Sequence, residues 1–382
     1  MYRLAVIGCG IRMNALWRQK PSWLDSEVEI AALYDIDPNA MHTFRENRAP
    51  HARCCASPEE IFQDPSIGWL MIATPNATHA EIIIRAFEAG KNVYAEKPLA
   101  ISQEECIRIW HAWKKSGKRF MIGFTLRYSP HYRKIAEIVQ SGLLGKIVSM
   151  EFNENVPPEH GGHIISCWRG MRASTGCHIL EKCCHDMDIA NAIIGAYPVQ
   201  VASFGGLSIF VPENEDLLEK AKDEDGTSVF CRWPTAKGKN PFTKPKDIVD
   251  HQVAILKYAN GVKATFHTNI CAPFNERRMY LAGTCGTLRA DAISGELTVR
   301  TLDGKEHDFS TGEKGSHSGG DRGLLETLHQ EIIGNPCTDA SIPEGIASAL
   351  VCFALDDAMR QNRIVDVAES FRKFSKMTGE TL

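Results

Sequence analysis

No apolar run in this chain approaches the length of a membrane span, and no basic cluster interrupts a formal net charge of -4. The first absence leaves no candidate for a membrane-spanning helix, and the second argues against a nucleic-acid partner. The 13 cysteines show no C-x-x-C spacing, and their odd number and scatter do not suit a disulfide scaffold. The adjacent pairs Cys54-Cys55 and Cys183-Cys184 fit neither a zinc motif nor a redox motif, so most thiols are expected to be reduced core residues and no metal site is predicted. There is no internal repeat and no low-complexity tract. The N-terminus reads as a strand rather than a signal peptide, which predicts a soluble, cytoplasmic chain. At 382 residues the chain exceeds one typical domain and suggests two.

The chain opens with the apolar run Tyr2-Arg3-Leu4-Ala5-Val6-Ile7, passes through Gly8-Cys9-Gly10, and continues into a helical pattern from Ile11 to Trp17. Strand, glycine turn and helix in that order are the setting in which a backbone approaches a pyrophosphate at a helix N-terminus. Gly8, Gly10 and the first helical residues Ile11 and Arg12 are therefore candidate nucleotide contacts. Met13 stands where a third glycine would complete the fingerprint. The next strand, Val28 to Tyr34, ends on Asp35, at about the interval of the carboxylate that accepts hydrogen bonds from an adenine ribose. Ile36 follows, and no adjacent cation could meet a 2'-phosphate. NAD is thus expected over NADP.

Strands and helices alternate through the first third. Pro58 to Phe62 reads as a helix capped by Ser57, Gly68 to Ala73 as a buried strand, Ala80 to Ala89 as a helix closed by Gly90, and Asn92 to Ala95 as the next strand. Glu104 to Lys115 is a further helix and Arg119 to Gly123 a further strand. This rhythm predicts a Rossmann-type, doubly wound parallel sheet over residues 1–124. Ligands of such sheets bind beyond the carboxyl ends of the strands, where Gly8, Asp35, Thr74 and Lys97 all fall. Thr74-Pro75-Asn76 and His79 follow one strand end and should face the cofactor, with Thr78 and Glu81 spaced as a capping box. Glu96-Lys97-Pro98 follows another, and Pro98 gives Lys97 a defined direction.

Beyond about residue 125 the pattern changes. After a helix from Ser129 to Gln140, long alternating or apolar runs span Ile147 to Phe152, Val199 to Phe204, Val253 to Tyr258, Lys263 to Thr268 and Met279 to Ala282. Turns such as Ala259-Asn260-Gly261 imply a large, mostly antiparallel sheet in an α+β domain over 125–382, which would bind substrate. Pro212 to Asp225 reads as a solvated acidic insertion.

One helix, from about Ser174 to a C-cap at Gly195, carries His178, Glu181, His185 and Asp188 within an arc of roughly 80°. Ile179, Cys183, Met187, Ala190 and Ile194 lie opposite. Glu181 and His185, four residues apart, can hydrogen-bond, and a carboxylate beside an imidazole raises its basicity as a general base requires. A solvated ion-pair face and a zinc site are the competing readings. Weaker candidates for substrate contact are His160-Gly161-Gly162-His163, read as a mobile loop, together with Trp168, Arg169, Arg277, Arg278 and His317 to Asp321.

The ordered set Gly8-Cys9-Gly10, Ala73-Thr74-Pro75-Asn76 with His79, Glu96-Lys97-Pro98, Gly123-Phe124 with Arg127-Tyr128, Gly142 to Ile147, Glu181 to His185 with Asp188, Ala282 to Thr287 and Arg363 to Val367 resembles the Gfo/Idh/MocA oxidoreductases. The resemblance covers nearly the whole chain. It implies that Lys97 and His185 are catalytic with Glu181 beside them, and that Glu96 and Arg127 join the cofactor contacts. It further implies that a sugar or cyclic polyol hydroxyl is oxidised, and that dimers or tetramers form through an open-faced C-terminal sheet. Glu181 departs from the family's usual Asp, and Cys183 from a frequent glycine. Two other readings are a redox-assisted glycosidase that uses tightly held NAD through a keto-sugar intermediate, and a non-catalytic NAD(H)-binding regulator.

Overall fold

The computed structural model describes residues 1–382. It divides them into two compact units: Met1–Ser129 with Gly319–Ala349 and Phe374–Leu382, and Pro130–Ser318 with Leu350–Lys373.

The first unit is built on six strands, β1 (Tyr2–Ile7), β2 (Val28–Tyr34), β3 (Arg53–Cys54), β4 (Trp69–Ile72), β5 (Asn92–Ala95) and β6 (Phe120–Ile122), in the order β3-β2-β1-β4-β5-β6. Every neighbouring pair is parallel. Residues Leu4 to Ile7 and Trp69 to Ile72 are buried on both faces of their strands, which is why those runs are apolar without alternation. Strand order reverses direction between β1 and β4, and at such a switch point the carboxyl ends leave a crevice.

A single division at residue 124 does not describe this unit, because chain from the far end packs into it. In the helix Gly320–Ile333 the buried Leu324, Leu325, Leu328 and Ile332 join Leu4, Val6, Met13 and Trp17 in one core cluster. Its glycines permit the approach: a Cβ on Gly320 would stand 2.3 Å from the Thr125 carbonyl oxygen.

Local expectations shift in three places. Pro58 rather than Ser57 occupies the N-cap of the helix Glu59–Phe62. Thr78 forms no capping box, because its residue is already helical in backbone and its hydroxyl turns back to Thr74 Oγ1 at 2.8 Å and the Pro75 carbonyl at 2.7 Å. The long helix of the second unit begins at His178, since Gly176 takes a φ of +88° that breaks it from the short turn Arg172–Thr175. It still ends at Gly195, in the left-handed region.

The second unit holds nine strands: β7 (Ile147–Asn155), β8 (Pro198–Gly206), β9 (His251–Tyr258), β10 (Lys263–Asn269), β11 (Arg278–Gly283), β12 (Gly286–Asp291), β13 (Glu296–Thr301), β14 (Glu306–Asp308) and β15 (Val365–Asp366). They lie in the order β14-β13-β12-β11-β7-β10-β9-β8-β15. Only β7 and β10 pair in parallel. Residues of β9 and β10 alternate between buried and exposed, so one face carries the core and the other lies open. Phe204 on β8, Val253 and Ile255 on β9 and Tyr280 on β11 stand exposed.

Between β8 and β9 the chain builds a small core of its own. Phe210, Phe230, Phe242 and Ile248 pack with Ile164, Ile165, Val156 and Ile270, and Leu217, Leu218 and Ala221 cover them. The stretch Pro212 to Asp225 is therefore not a wholly solvated insertion: its acidic side chains face out while its leucines close this cluster. Asp250, fully buried, pins the insertion by accepting the backbone N–H groups of Ser208, Ile209 and Phe210 at 3.1, 2.7 and 3.0 Å. Residues Pro158–Ser166 form a helix here, not a mobile loop. Gly161 and Gly162 are packing positions, where a Cβ would stand 1.9 Å from the Ile270 carbonyl oxygen and 2.0 Å from that of Phe230. No helix is long and apolar enough to cross a membrane.

Candidate active site

In the first unit the glycine turn is pinned to both neighbouring strands. Gly8 takes a φ of +95°, and a Cβ there would lie 2.6 Å from the Ala73 carbonyl, so only glycine lets the turn lie against the end of β4. Asp35 accepts the Cys9 N–H at 2.7 Å through one carboxylate oxygen and the Asp37 N–H at 2.9 Å through the other. Gly10 is the N-cap of the helix Ile11–Arg18, has no side-chain cap, and borders open space where a Cβ would go. Those features fit a dinucleotide: uncapped helix N–H donors at Gly10 and Ile11 for a pyrophosphate, and a carboxylate at Asp35 for a ribose. Met13, at the position of the third glycine, is buried core.

Arg12 and Glu96 turn to each other instead of outward. Arg12 Nε donates to Glu96 Oε1 at 2.7 Å, its Nη1 lies 2.8 Å from Asp321, and Nη2 donates to Thr125 Oγ1 at 3.1 Å. This corrects the expectation of Arg12 as a nucleotide contact, since its charge is already satisfied by two carboxylates. Tyr94 donates to the same Glu96 oxygen at 2.7 Å, and burial pushes its phenol well above the ordinary value. His79 also lies inside, with its ring nitrogens on the carbonyls of Thr74 and Pro98. Asn76 is buried, and Arg127 donates to the Asp339 carbonyl at 2.6 Å. Lys97 follows β5 half-buried, with a cis peptide bond to Pro98.

In the second unit the helix His178–Ile194 is buried at every position except Lys182 and Ala192. Its ionisable face is therefore not the solvated face that spacing alone allowed. Glu181 accepts from Arg169 Nε at 2.8 Å, and the guanidinium lies over Trp168, 4.3 Å from its ring centre. Arg169 Nη1 also reaches His163 Nε2 at 3.4 Å. Burial and then Arg169 pull His163 down to about 4, so the ring is neutral at pH 7: Nε2 accepts from Arg169 while Nδ1 donates to Thr235. His185 lies 5.9 Å, ring centre to ring centre, from His317. Expected site residues His163, Trp168, Arg169 and Glu181 thus form one connected group. No cluster of three or more His, Cys, Asp or Glu side chains is arranged to hold a metal ion.

Two sets of residues escaped the sequence reading. Beneath the helix, Glu154 pairs with Lys182 at 2.8 Å and with Arg277 at 2.9 Å, and Arg277 reaches both oxygens of Asp186, at 2.9 and 2.8 Å. Arg277 is 2% exposed, so it fastens helix to sheet and is no surface contact for substrate. Glu154 interrupts the inward apolar positions Met150 and Phe152, a signal that could have exposed the network. The insertion adds Trp233, which stacks on His160 at 5.0 Å and on His163 at 4.4 Å. Nothing in the spacing of its sequence pointed there.

Residues 2–124 match the oxidoreductase family with an NAD-binding Rossmann fold, and residues 132–289 match the GFO/IDH/MocA C-terminal domain. The chain belongs to the Gfo/Idh/MocA oxidoreductase family. Among family relatives, myo-inositol 2-dehydrogenase of Thermotoga maritima is 26% identical over 60% of this chain and 65% of its own. The 2,7-anhydro-N-acetylneuraminate hydratase of Escherichia coli is 28% identical over 78% and 73%. A levoglucosan dehydrogenase complex with NADH and levoglucosan aligns over 96% of this chain and 99% of that one, with a TM-score of 0.78 at 20% identity. The Gfo/Idh/MocA fold and an NAD cofactor are thereby established for this chain.

His178 gives the site a signature in acid. Burial pulls it down to about 4 from an ordinary 6.5, so the unfolded chain binds the extra proton first. Its stabilising contribution is complete above pH 6.5 and is lost as pH falls toward 4, at about 1.4 kcal/mol per pH unit. In urea titrations over that range, His178→Asn should show a pH slope shallower by about one proton. An unchanged slope would mean that His178 is charged in the fold.

Proposed function

We propose that the protein oxidises a secondary hydroxyl of a sugar or cyclic polyol with NAD. The observation that carries the reading is Lys97, placed just beyond β5 in the same sheet whose glycine turn is fastened to Asp35. NAD supplies the hydride acceptor when bound. The chain's own part is charge and proton management: the Lys97 ammonium stabilises the negative charge that develops on the hydroxyl oxygen, and His185 accepts its proton. Glu181, held by Arg169, orients His185, and Trp168 with His163 bounds the sugar ring. Relatives named as inositol dehydrogenases support this substrate class. We further propose that copies assemble as a homodimer or homotetramer through the open face of the nine-stranded sheet, where Phe204, Val253 and Ile255 line a groove beside Thr265 and His267.

A panel of inositols, sugars and glycosides followed by NADH absorbance tests the reaction, with net NADH expected from at least one polyol or sugar. Lys97→Met should lose at least about a hundredfold in turnover while retaining the fold, because it removes stabilisation specific to the transition state. Near-normal turnover in that variant would contradict the role. Calorimetric titration should give tighter binding of NAD than of NADP, the reverse result overturning the part assigned to Asp35. Ile255→Asp should lower the molar mass seen by light scattering, and an unchanged mass would exclude that face as the interface.

A further inference from the structure

His79 is 1% exposed at the start of the helix His79–Glu88. Its Nδ1 lies 2.8 Å from the carbonyl oxygen of Pro98, and its Nε2 lies 2.9 Å from that of Thr74. A carbonyl oxygen only accepts, so each contact is attractive only where the ring nitrogen carries a hydrogen. A neutral imidazole has one N–H and one lone pair. In that form one of the two contacts would set a lone pair against a carbonyl oxygen at hydrogen-bond distance, and the ring would be pushed off it. The imidazolium satisfies both.

The two carbonyls belong to different strand ends. Thr74 follows β4, at the loop beside the glycine turn, and Pro98 follows β5 immediately after Lys97. We propose that His79 is a positioning residue for Lys97, a doubly protonated ring whose two N–H groups tie the Thr74 and Pro98 carbonyls together and fix where Lys97 leaves its strand. This rests on the role given to Lys97 in the proposed function. The charged groups acting on the ring are Glu96 and Lys97: burial, the largest effect, and Lys97 draw it toward the neutral form and set a net direction below the usual imidazole value, while both carbonyls and the Glu96 carboxylate draw it toward the cation. Against that net direction stands the geometry of two acceptors, which no neutral ring can serve together and toward which charged N–H donors strengthen in a water-free setting. His79 so placed lies behind the cofactor loop and is not itself a cofactor contact.

The test reads ring protons in the intact protein. With histidine rings labelled with nitrogen-15, the spectrum at pH 7 should show one buried residue with two slowly exchanging ring N–H signals, both absent from His79→Gln. One N–H beside an unprotonated nitrogen at His79 would overturn the clamp. As a second measurement, His79→Phe should lower kcat roughly tenfold or more with NAD affinity changed less than about twofold, because orientation and not binding is lost. Unchanged kcat in folded His79→Phe would overturn the positioning role. The ring signals are independent of turnover. Two N–H signals with fully active Lys97→Met would sink the reading of Lys97 and the positioning role with it, whereas one N–H signal with impaired Lys97→Met would sink the clamp alone.

Discussion

The Arg12 guanidinium gathers four parts of the first unit at one point: the first turn of the helix Ile11–Arg18, Glu96 at the end of β5, Thr125 after β6, and Asp321 on the helix Gly320–Ile333. Glu96 is almost wholly buried, and a buried carboxylate is tolerable only where its charge is matched and its remaining lone pairs are used. Arg12 and Tyr94 do both. Gly123 is part of the same constraint, since a Cβ there would stand 2.7 Å from the Tyr94 hydroxyl and 3.0 Å from Glu96 Oε2. Removing one partner from such a group typically costs about 3–5 kcal/mol. Lys97 follows Glu96 directly, so the chain enters Lys97 from a residue held in this group.

The second unit solves a similar problem with a different network. Its helix His178–Ile194 carries Glu181, His185, Asp186 and Asp188 into the interior, and the Lys182–Glu154–Arg277–Asp186 chain compensates the charges on the sheet side. Burial pushes the Asp186 carboxyl up even beside Arg277. On the other flank Arg169 restrains Glu181 and braces the stacked group of His163, His160 and Trp233.

The parallel sheet was legible because its strands are apolar on both faces and its turns carry glycine, signals that depend on nearby residues alone. The antiparallel sheet was legible from alternation in β9 and β10. What failed to show in the sequence depends on distant partners. Arg12 looked like a nucleotide contact because Glu96 and Asp321 are far away in the chain, and Arg277 looked like a substrate contact because Glu154 and Asp186 are equally remote. His160 and His163 looked like loop residues because their glycines suggest mobility, yet those glycines exist to let Ile270 and Phe230 approach. His79 was noticed through its place after Thr74-Pro75-Asn76, but the two carbonyls that define its task lie on separate loops.

If Arg12 acts on turnover by fixing Lys97, its effect should vanish once Lys97 is gone. A double-mutant cycle with Arg12→Lys and Lys97→Met, read as kcat on the substrate the panel identifies, measures this directly. Arg12→Lys keeps the charge but loses the planar fork that spans Glu96, Asp321 and Thr125. The account predicts that Arg12→Lys alone slows turnover and that the double variant is no slower than Lys97→Met. A double variant slowed by the product of the two single losses would contradict it.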